Sequence, residues 1–194
     1  MSDLILASHS PRRGDLLNQI GVRFQSHGVD IDESVRSGES PAKYVERLAL
    51  EKAEACRSQL GTIKAVLGSD TAVVCDQHIL GKPRDMEHGV EMLMQLSGRG
   101  HQVMTSIALV VDERSLSQVV TTEVFFRTLS LDECQTYWAT GEPLDKAGGY
   151  GIQGLAAIFI ERIVGSYSAV VGLPLAETAG LLKQVGIPVW QPLG

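Results

Sequence analysis

Four cations and a few carboxylates stand in this chain where packing alone would not put them. Arg12 and Arg13 follow Ser10-Pro11, a pair that opens a helix because the hydroxyl can cap free N–H groups and the proline φ is already helical. Two cations at the positive end of a helix dipole have the wrong sign by roughly half a kcal/mol each. A bound polyanion would explain them; the alternative is a pair of solvated arginines screened by water. Lys52 lies on an apolar helical stripe and needs an anion unless its stem carries the ammonium out to solvent. Asp70 interrupts the apolar strand Val66 to Cys75, where a buried charge is costly unless paired, and Gly68 beside it permits close approach. A return turn after Asp76-Gln77 would bring Lys82 back toward that strand, although a solvated loop lysine reads equally well. Asp30, Asp32 and Glu33 close an extended acidic segment. Cations that bind several phosphates, with carboxylates that hold Mg²⁺ and orient water, are the parts that phosphoanhydride hydrolysis requires.

The elements that must position these groups read clearly. Leu4 to Ala7 is a short buried strand, and the helix after Pro11 carries Leu16, Leu17 and Ile20 on one face before Gly21. Ser40-Pro41 opens a helix to about Leu60, with Val45, Leu48, Ala49, Ala53 and Cys56 as its core stripe. Lys52, seven residues after Val45, points with that stripe. Asp85 caps a helix carrying Val90, Leu93 and Leu96. Strands His101 to Val111 and Leu116 to Thr128 form a hairpin around the turn DERS, and Ser130 to Glu133 is a capping box. In this middle region His101 reads as an exposed scaffold residue. Glu142 to Gly154 is a glycine-rich loop, and Leu155 to Val164 with Ser168 to Val171 read as paired strands. A last helix after Leu173-Pro174 has Ala179, Leu182 and Val185 as core positions.

The glycines at 149, 151 and 154 fit GxGxxG, but no apolar strand precedes them and the segment that follows reads as a strand rather than a helix, a context that argues against a dinucleotide fold. They would instead let backbone approach a flat or charged ligand, with Gln153 offering donor and acceptor to a base edge. A P-loop is absent, since Gly81-Lys82 runs into Pro83, and no zinc spacing or nucleophile elbow occurs.

The 194 residues, 44% hydrophobic and 21% charged, describe one α/β domain with a sizeable core. A net charge of −6 argues against a broad nucleic-acid surface, so the basic residues must be gathered locally around a small ligand. No apolar run reaches membrane length, the start lacks a basic leader, and Cys56, Cys75 and Cys134 have no pairing or metal spacing; a cytoplasmic location is expected.

Taken together, LASHSPRR at 6–13, DES at 32–34, RLALEKA at 47–53, GSDT at 68–71, GKPRD at 81–85, LDKAGGYGIQG at 144–154 and VVGLPL at 170–175 resemble the Maf family of nucleoside triphosphate pyrophosphatases over almost the whole chain. The resemblance implies a Maf and ITPase-like α/β fold: a mixed twisted sheet with flanking helices forming a deep substrate cleft, one domain over 1–194 with two lobes around it. It implies cleavage between the α and β phosphates to monophosphate and pyrophosphate, with a divalent cation, Mg²⁺ or Mn²⁺. Asp70 carries over as proton acceptor, and Glu33 and Asp70 as metal ligands. Ser8, Ser10, Arg12, Arg13, Lys52, Thr71, Lys82 and Gln153 carry over as substrate-binding residues. Arg12, Thr71 and Gln153 resemble the branch that prefers dTTP and UTP. Thr71, next to Asp70, would face the opposite side of an ideal strand. The expected partner is the triphosphate, with neither nucleic acid nor membrane, and a homodimer is the assembly to test. Two other readings stand beside this one: a nucleotide-binding regulator of cell division and septum formation, and a house-cleaner of noncanonical purine triphosphates.

Overall fold

The computed structural model describes residues 4–191. Strand β1 (Leu4–Ala7) is buried along its full length, as a continuous apolar run must be when both sheet faces are covered. It feeds α1 (Pro11–Gln19), the short strand β2 (Phe24–Ser26), the long helix α2 (Pro41–Leu60) and β3 (Ala65–Cys75). Both β2 and β3 pair with β1 in parallel. Ser40 Oγ accepts from the Lys43 N–H at the start of α2, and Gly61 closes it in the left-handed region at φ 55°. The predicted stripe is correct: Val45, Leu48, Ala49, Ala53 and Cys56 are fully buried. Gly68 is required where α2 crosses β3, because a Cβ there would lie 2.0 Å from the Ala49 carbonyl oxygen.

The chain continues through β4 (His78–Leu80), α3 (Met86–Leu96), β5 (Gly100–Val111), β6 (Arg114–Phe126), α4 (Leu131–Ala139), β7 (Ile160–Val164), α5 (Tyr167–Val171) and α6 (Leu175–Gln184). The strands form one seven-stranded mixed sheet in the order β2-β1-β3-β5-β6-β7, with β4 added to β3. β3 and β4 are antiparallel across the Asp76-Gln77 turn, both of whose residues have positive φ, as a two-residue hairpin demands. The β5–β6 connection is tighter than expected: only Asp112 and Glu113 separate the strands, and β6 ends at Phe126.

Two expectations fail near the C-terminus. Leu155–Phe159 is a 3-10 turn rather than strand, because the Glu142 carboxylate takes the N–H groups of Leu155 and Ala156. Residues 168–171 belong to α5, whose first turn is closed by Ser166: its Oγ accepts from Ala169 and its carbonyl from Val170. β7 pairs with β6 instead, antiparallel. The buried stripe of α6 is Thr178, Leu181 and Leu182, leaving Ala179 and Val185 half-buried.

The chain forms two compact units, and the boundaries fall inside β3, β5 and β6 and after α5. One comprises Met1–Asp70, Thr105–Val120 and Gly172–Gly194; the other Thr71–Met104 and Thr121–Val171. The first has an aliphatic cluster of Ile5, Ala7, Val29, Ala53, Cys56, Val66 and Val110. The second is aromatic: Phe126, Tyr137, Tyr150 and Phe159 meet edge to face at 4.8 to 6.0 Å. Cys56, Cys75 and Cys134 are free thiols, and among the described residues no helix is long and apolar enough to cross a membrane.

Candidate active site

The first unit gathers most of the residues picked out in the sequence. Lys52 is buried on α2, and its Nζ lies 2.7 Å from Asp70 Oδ1 on β3 and 2.6 Å from Glu33 Oε1 on the acidic segment. The ammonium therefore does not escape to solvent: it holds two carboxylates together. The close crossing at Gly68 brings helix and strand near enough for that reach. Burial pushes the Asp70 carboxyl above its ordinary value, and Lys52 and Arg13 pull against that shift without cancelling it.

Arg13 approaches the same cluster from α1. Its Nε donates to the Gly172 carbonyl at 2.9 Å and its Nη1 to Ser8 Oγ at 3.2 Å, which fixes the plane of the guanidinium. Burial draws its affinity for the proton down, with Asp70 opposing. Ser8 is buried and also accepts from the Ser10 N–H at 3.1 Å, so it braces the strand-to-helix turn. Ser10 occupies the N-cap position, but its side chain accepts no capping bond; the proline geometry starts the helix without it. Arg12 is half-buried at the same helix start. The Gly172 carbonyl also accepts from Ser69 Oγ at 3.0 Å, tying α1, β3 and the lead-in to α6 to one oxygen.

Of the three acids, only Glu33 reaches the ammonium. Asp30 pairs with His9 at 3.5 Å, and Asp32 accepts from the Ser34 N–H at 2.9 Å. Glu33 is presented by a support that sequence reading missed. Tyr44 donates its hydroxyl to the Glu33 carbonyl at 3.0 Å, and Arg47 Nη2 donates to the Ser34 carbonyl at 3.0 Å. Arg47 is locked in turn by Glu39 and Glu51. The signal was present in spacing: Tyr44, Arg47 and Glu51 share one helix face at steps of three and four.

Thr71, Lys82 and Gln153 belong to the second unit. Thr71 is half-buried on β3; Lys82 is exposed beyond the end of β4. The Gly148 N–H donates to the Gly81 carbonyl at 3.0 Å, so the segment bearing Lys82 is tied to the glycine-rich loop. Gln153 is exposed in a turn closed by the Gly154 N–H and the Gly151 carbonyl at 3.1 Å. His101 is not the exposed residue it looked like: it is buried, with Nε2 2.7 Å from the Tyr150 hydroxyl.

Among the described residues no group of three or more His, Cys, Asp or Glu side chains could hold a metal unaided. Glu33 and Asp70 nevertheless turn one oxygen each toward a single cationic nitrogen. Two carboxylates completed by substrate phosphates and water are the donor set that Mg²⁺ commonly takes, so these residues fit a divalent cation.

A family model described as "Maf-like protein" matches residues 3–185. The chain belongs to the Maf-like family. This Maf-like chain is 53% identical over 195 residues to the dTTP/UTP pyrophosphatase of Saccharophagus degradans, covering 99% of this chain and 93% of that protein. It is 52% identical over 184 residues to the dTTP/UTP pyrophosphatase of Vibrio cholerae, covering 95% and 98%. Among solved structures, a nucleoside-triphosphatase (dITP/XTP pyrophosphatase) of Mycobacterium abscessus overlaps 65% of this chain and 74% of its own, at 20% identity and a TM-score of 0.46.

Proposed function

We propose that the chain hydrolyses dTTP and UTP to the monophosphate and pyrophosphate, as its relatives of about 52% identity are named for doing. The observation that carries the chemistry is the buried Lys52 ammonium bridging Glu33 and Asp70, with the fixed Arg13 guanidinium beside them. A sensor of nucleotides needs phosphate ligands but no poised carboxylate; a hydrolase needs both.

In this reading water attacks the α phosphorus, the bond to the bridging oxygen breaks, and pyrophosphate leaves. Asp70 takes the proton of the attacking water, for which a carboxyl raised by burial is better suited than an ordinary one. Arg12, Arg13, Lys52 and Lys82 neutralise the triphosphate, and Ser8 and Ser10 shape the turn that presents the arginines. Glu33 would hold Mg²⁺ or Mn²⁺, which would supply charge neutralisation at phosphate oxygens; Asp70 joins it as a ligand in the alternative in which it positions the water rather than taking its proton. Thr71 and Gln153 select the base: the imide edge of thymine or uracil offers acceptors flanking a donor, which a Gln amide can answer. The free, buried cysteines suit a reducing compartment, so we place the protein in the cytoplasm.

The test is pyrophosphate release across a panel of ordinary and modified triphosphates, with and without chelator. dTTP and UTP should lead ATP, GTP and CTP, chelation should abolish turnover, and Gln153→Ala should narrow the gap between bases. A purine preference in the wild type would favour the house-cleaning alternative and overturn the pyrimidine assignment.

A further inference from the structure

Gln153 can read a base only if its amide is presented at a fixed height and angle, and the second unit pins both flanks of its turn. Upstream, the Tyr150 hydroxyl meets His101 Nε2, and the two rings pack edge to face with Phe126 between 4.8 and 5.4 Å. Burial, and then the nearby Arg99, push His101 down to about 4, so the ring is neutral at physiological pH; its Nδ1 has no hydrogen-bond partner among the described residues. This flank is a neutral, aromatic clamp.

The downstream flank is ionic. Glu142 Oε2 accepts from the Leu155 N–H at 2.7 Å, and Oε1 accepts from the Tyr137 hydroxyl at 2.8 Å and from the Ala156 N–H at 3.4 Å. The carboxylate thus buckles the chain two residues past Gln153. Any other residue at Gly154 would displace the carboxylate, since a Cβ would lie 2.3 Å from both of its oxygens. Glu142 is itself steadied, its N–H donating to Thr140 Oγ1 at 3.2 Å and its carbonyl accepting from Lys146 Nζ at 2.8 Å. Tyr137 is buried against Phe159 and supplies a rigid donor. Burial raises its hydroxyl's affinity for the proton, and the Glu142 bond adds to that, so it stays a donor at all ordinary pH.

We propose that Glu142 is a positioning residue for base selection: its carboxylate, bonded to Tyr137 and the Leu155 N–H, fixes the Gly151–Gly154 turn and with it the Gln153 amide. This rests on the reading that Gln153 meets the base. A site that hydrogen-bonds a base edge rejects the wrong base because polar groups would be left unpaired, and that rejection weakens as soon as the amide can adapt. Loosening the buckle should therefore relax selectivity before it slows chemistry.

The experiment compares kcat and KM for dTTP, CTP and ATP in the wild type, Glu142→Gln, Tyr137→Phe and Gln153→Ala. Glu142→Gln replaces a charge-assisted acceptor by a weaker neutral one, and the preference for dTTP over CTP should fall about tenfold, mainly through KM for dTTP, with kcat/KM for ATP within about twofold of wild type. Tyr137→Phe, which keeps the carboxylate and removes one donor, should move the same ratio less and in the same direction; it carries the test if Glu142→Gln does not fold. Glu142→Gln in a Gln153→Ala background should add nothing. An equal fall for all three nucleotides marks a merely structural role and overturns the proposal. If Gln153→Ala narrows the ranking while the other two variants leave it intact, only the positioning role is lost; if Gln153→Ala changes nothing, the base reading falls with it.

Discussion

Glu39 and Asp70 are both carboxylates facing a cation on α2, and each is covered by its partner, but Asp70 lies deep in the fold on β3 whereas Glu39 lies near the surface. Their proton affinities move in opposite directions. Glu39 is held down to about 2, first by its bonds to Arg47, while Asp70 is raised by burial. Burial is the leading cause at Asp70 and is outweighed by the Arg47 bonds at Glu39, and the number of donors widens the difference. Glu39 accepts from Arg47 Nε at 2.6 Å, Arg47 Nη2 at 2.8 Å and the Arg36 N–H at 3.0 Å. Among the described residues Asp70 accepts one bond, from a lysine that it shares with Glu33. A carboxylate saturated with donors is a structural part; one left under-supplied keeps proton affinity and coordination capacity for a substrate.

The sharpest way to break this comparison is Asp70→Asn. It should abolish pyrophosphate release, a loss of at least about a thousandfold, while nucleotide binding persists. Because the folded-state affinity is raised, ionised Asp70 costs folding energy above the ordinary carboxylate range, and removing the charge relieves that cost. The variant also takes one of two carboxylates from the buried Lys52 ammonium, so gain and loss oppose each other, and with Glu33 still in place it should remain folded at pH 7. Wild-type-like turnover would remove Asp70 from the chemistry.

Next come the cations. Arg13→Ala and Lys52→Ala should each cost about 2 kcal/mol or more in transition-state stabilisation, read as kcat/KM for dTTP. A variant that binds triphosphate no better than monophosphate, where the wild type prefers triphosphate, would place the missing contact on the β and γ phosphates.

The structural partner predicts the reverse pattern. Glu39→Gln should leave kcat within about twofold below the melting transition but lower stability at pH 7 by about 1 to 2 kcal/mol. Its sign follows from a depressed affinity: the contribution is complete above the ordinary carboxylate value of 4.5 and disappears as pH falls toward about 2. Melting curves of wild type and variant should converge over that interval. Parallel curves would mean that the Arg47 bonds do not set the acid limb of stability.

Local signals made much of this legible beforehand. Ser40-Pro41, Asp85 and the Ser130–Glu133 capping box fix helix starts through their own side chains, and Lys52 and Asp70 stood out because each contradicts its apolar surroundings. What stayed hidden depends on groups far apart in sequence. The 3-10 turn at Leu155–Phe159 looked like a strand because the carboxylate that claims its N–H groups sits 13 residues earlier. His101 looked like surface because its burial is set by Tyr150, 49 residues away. The Arg47 support of Glu33 is hidden for the same reason, because it joins the charged face of α2 to the Ser34 carbonyl, 13 residues earlier.

The carbonyl of Gly172, in a backbone conformation with φ 127° that favours glycine, also sets a timetable. It is the acceptor for Arg13, 159 positions earlier, and for Ser69, 103 positions earlier. On the ribosome, at roughly 5 to 20 residues per second, the 103 positions separating Ser69 from Gly172 take about 5 to 20 s to synthesise. Throughout that interval the nascent chain already contains Arg13, Lys52 and Asp70 without the oxygen that orients the guanidinium. The Arg13 guanidinium thus gains this acceptor only once Gly172 has emerged, and a chain halted before that point carries the charged residues without the bond.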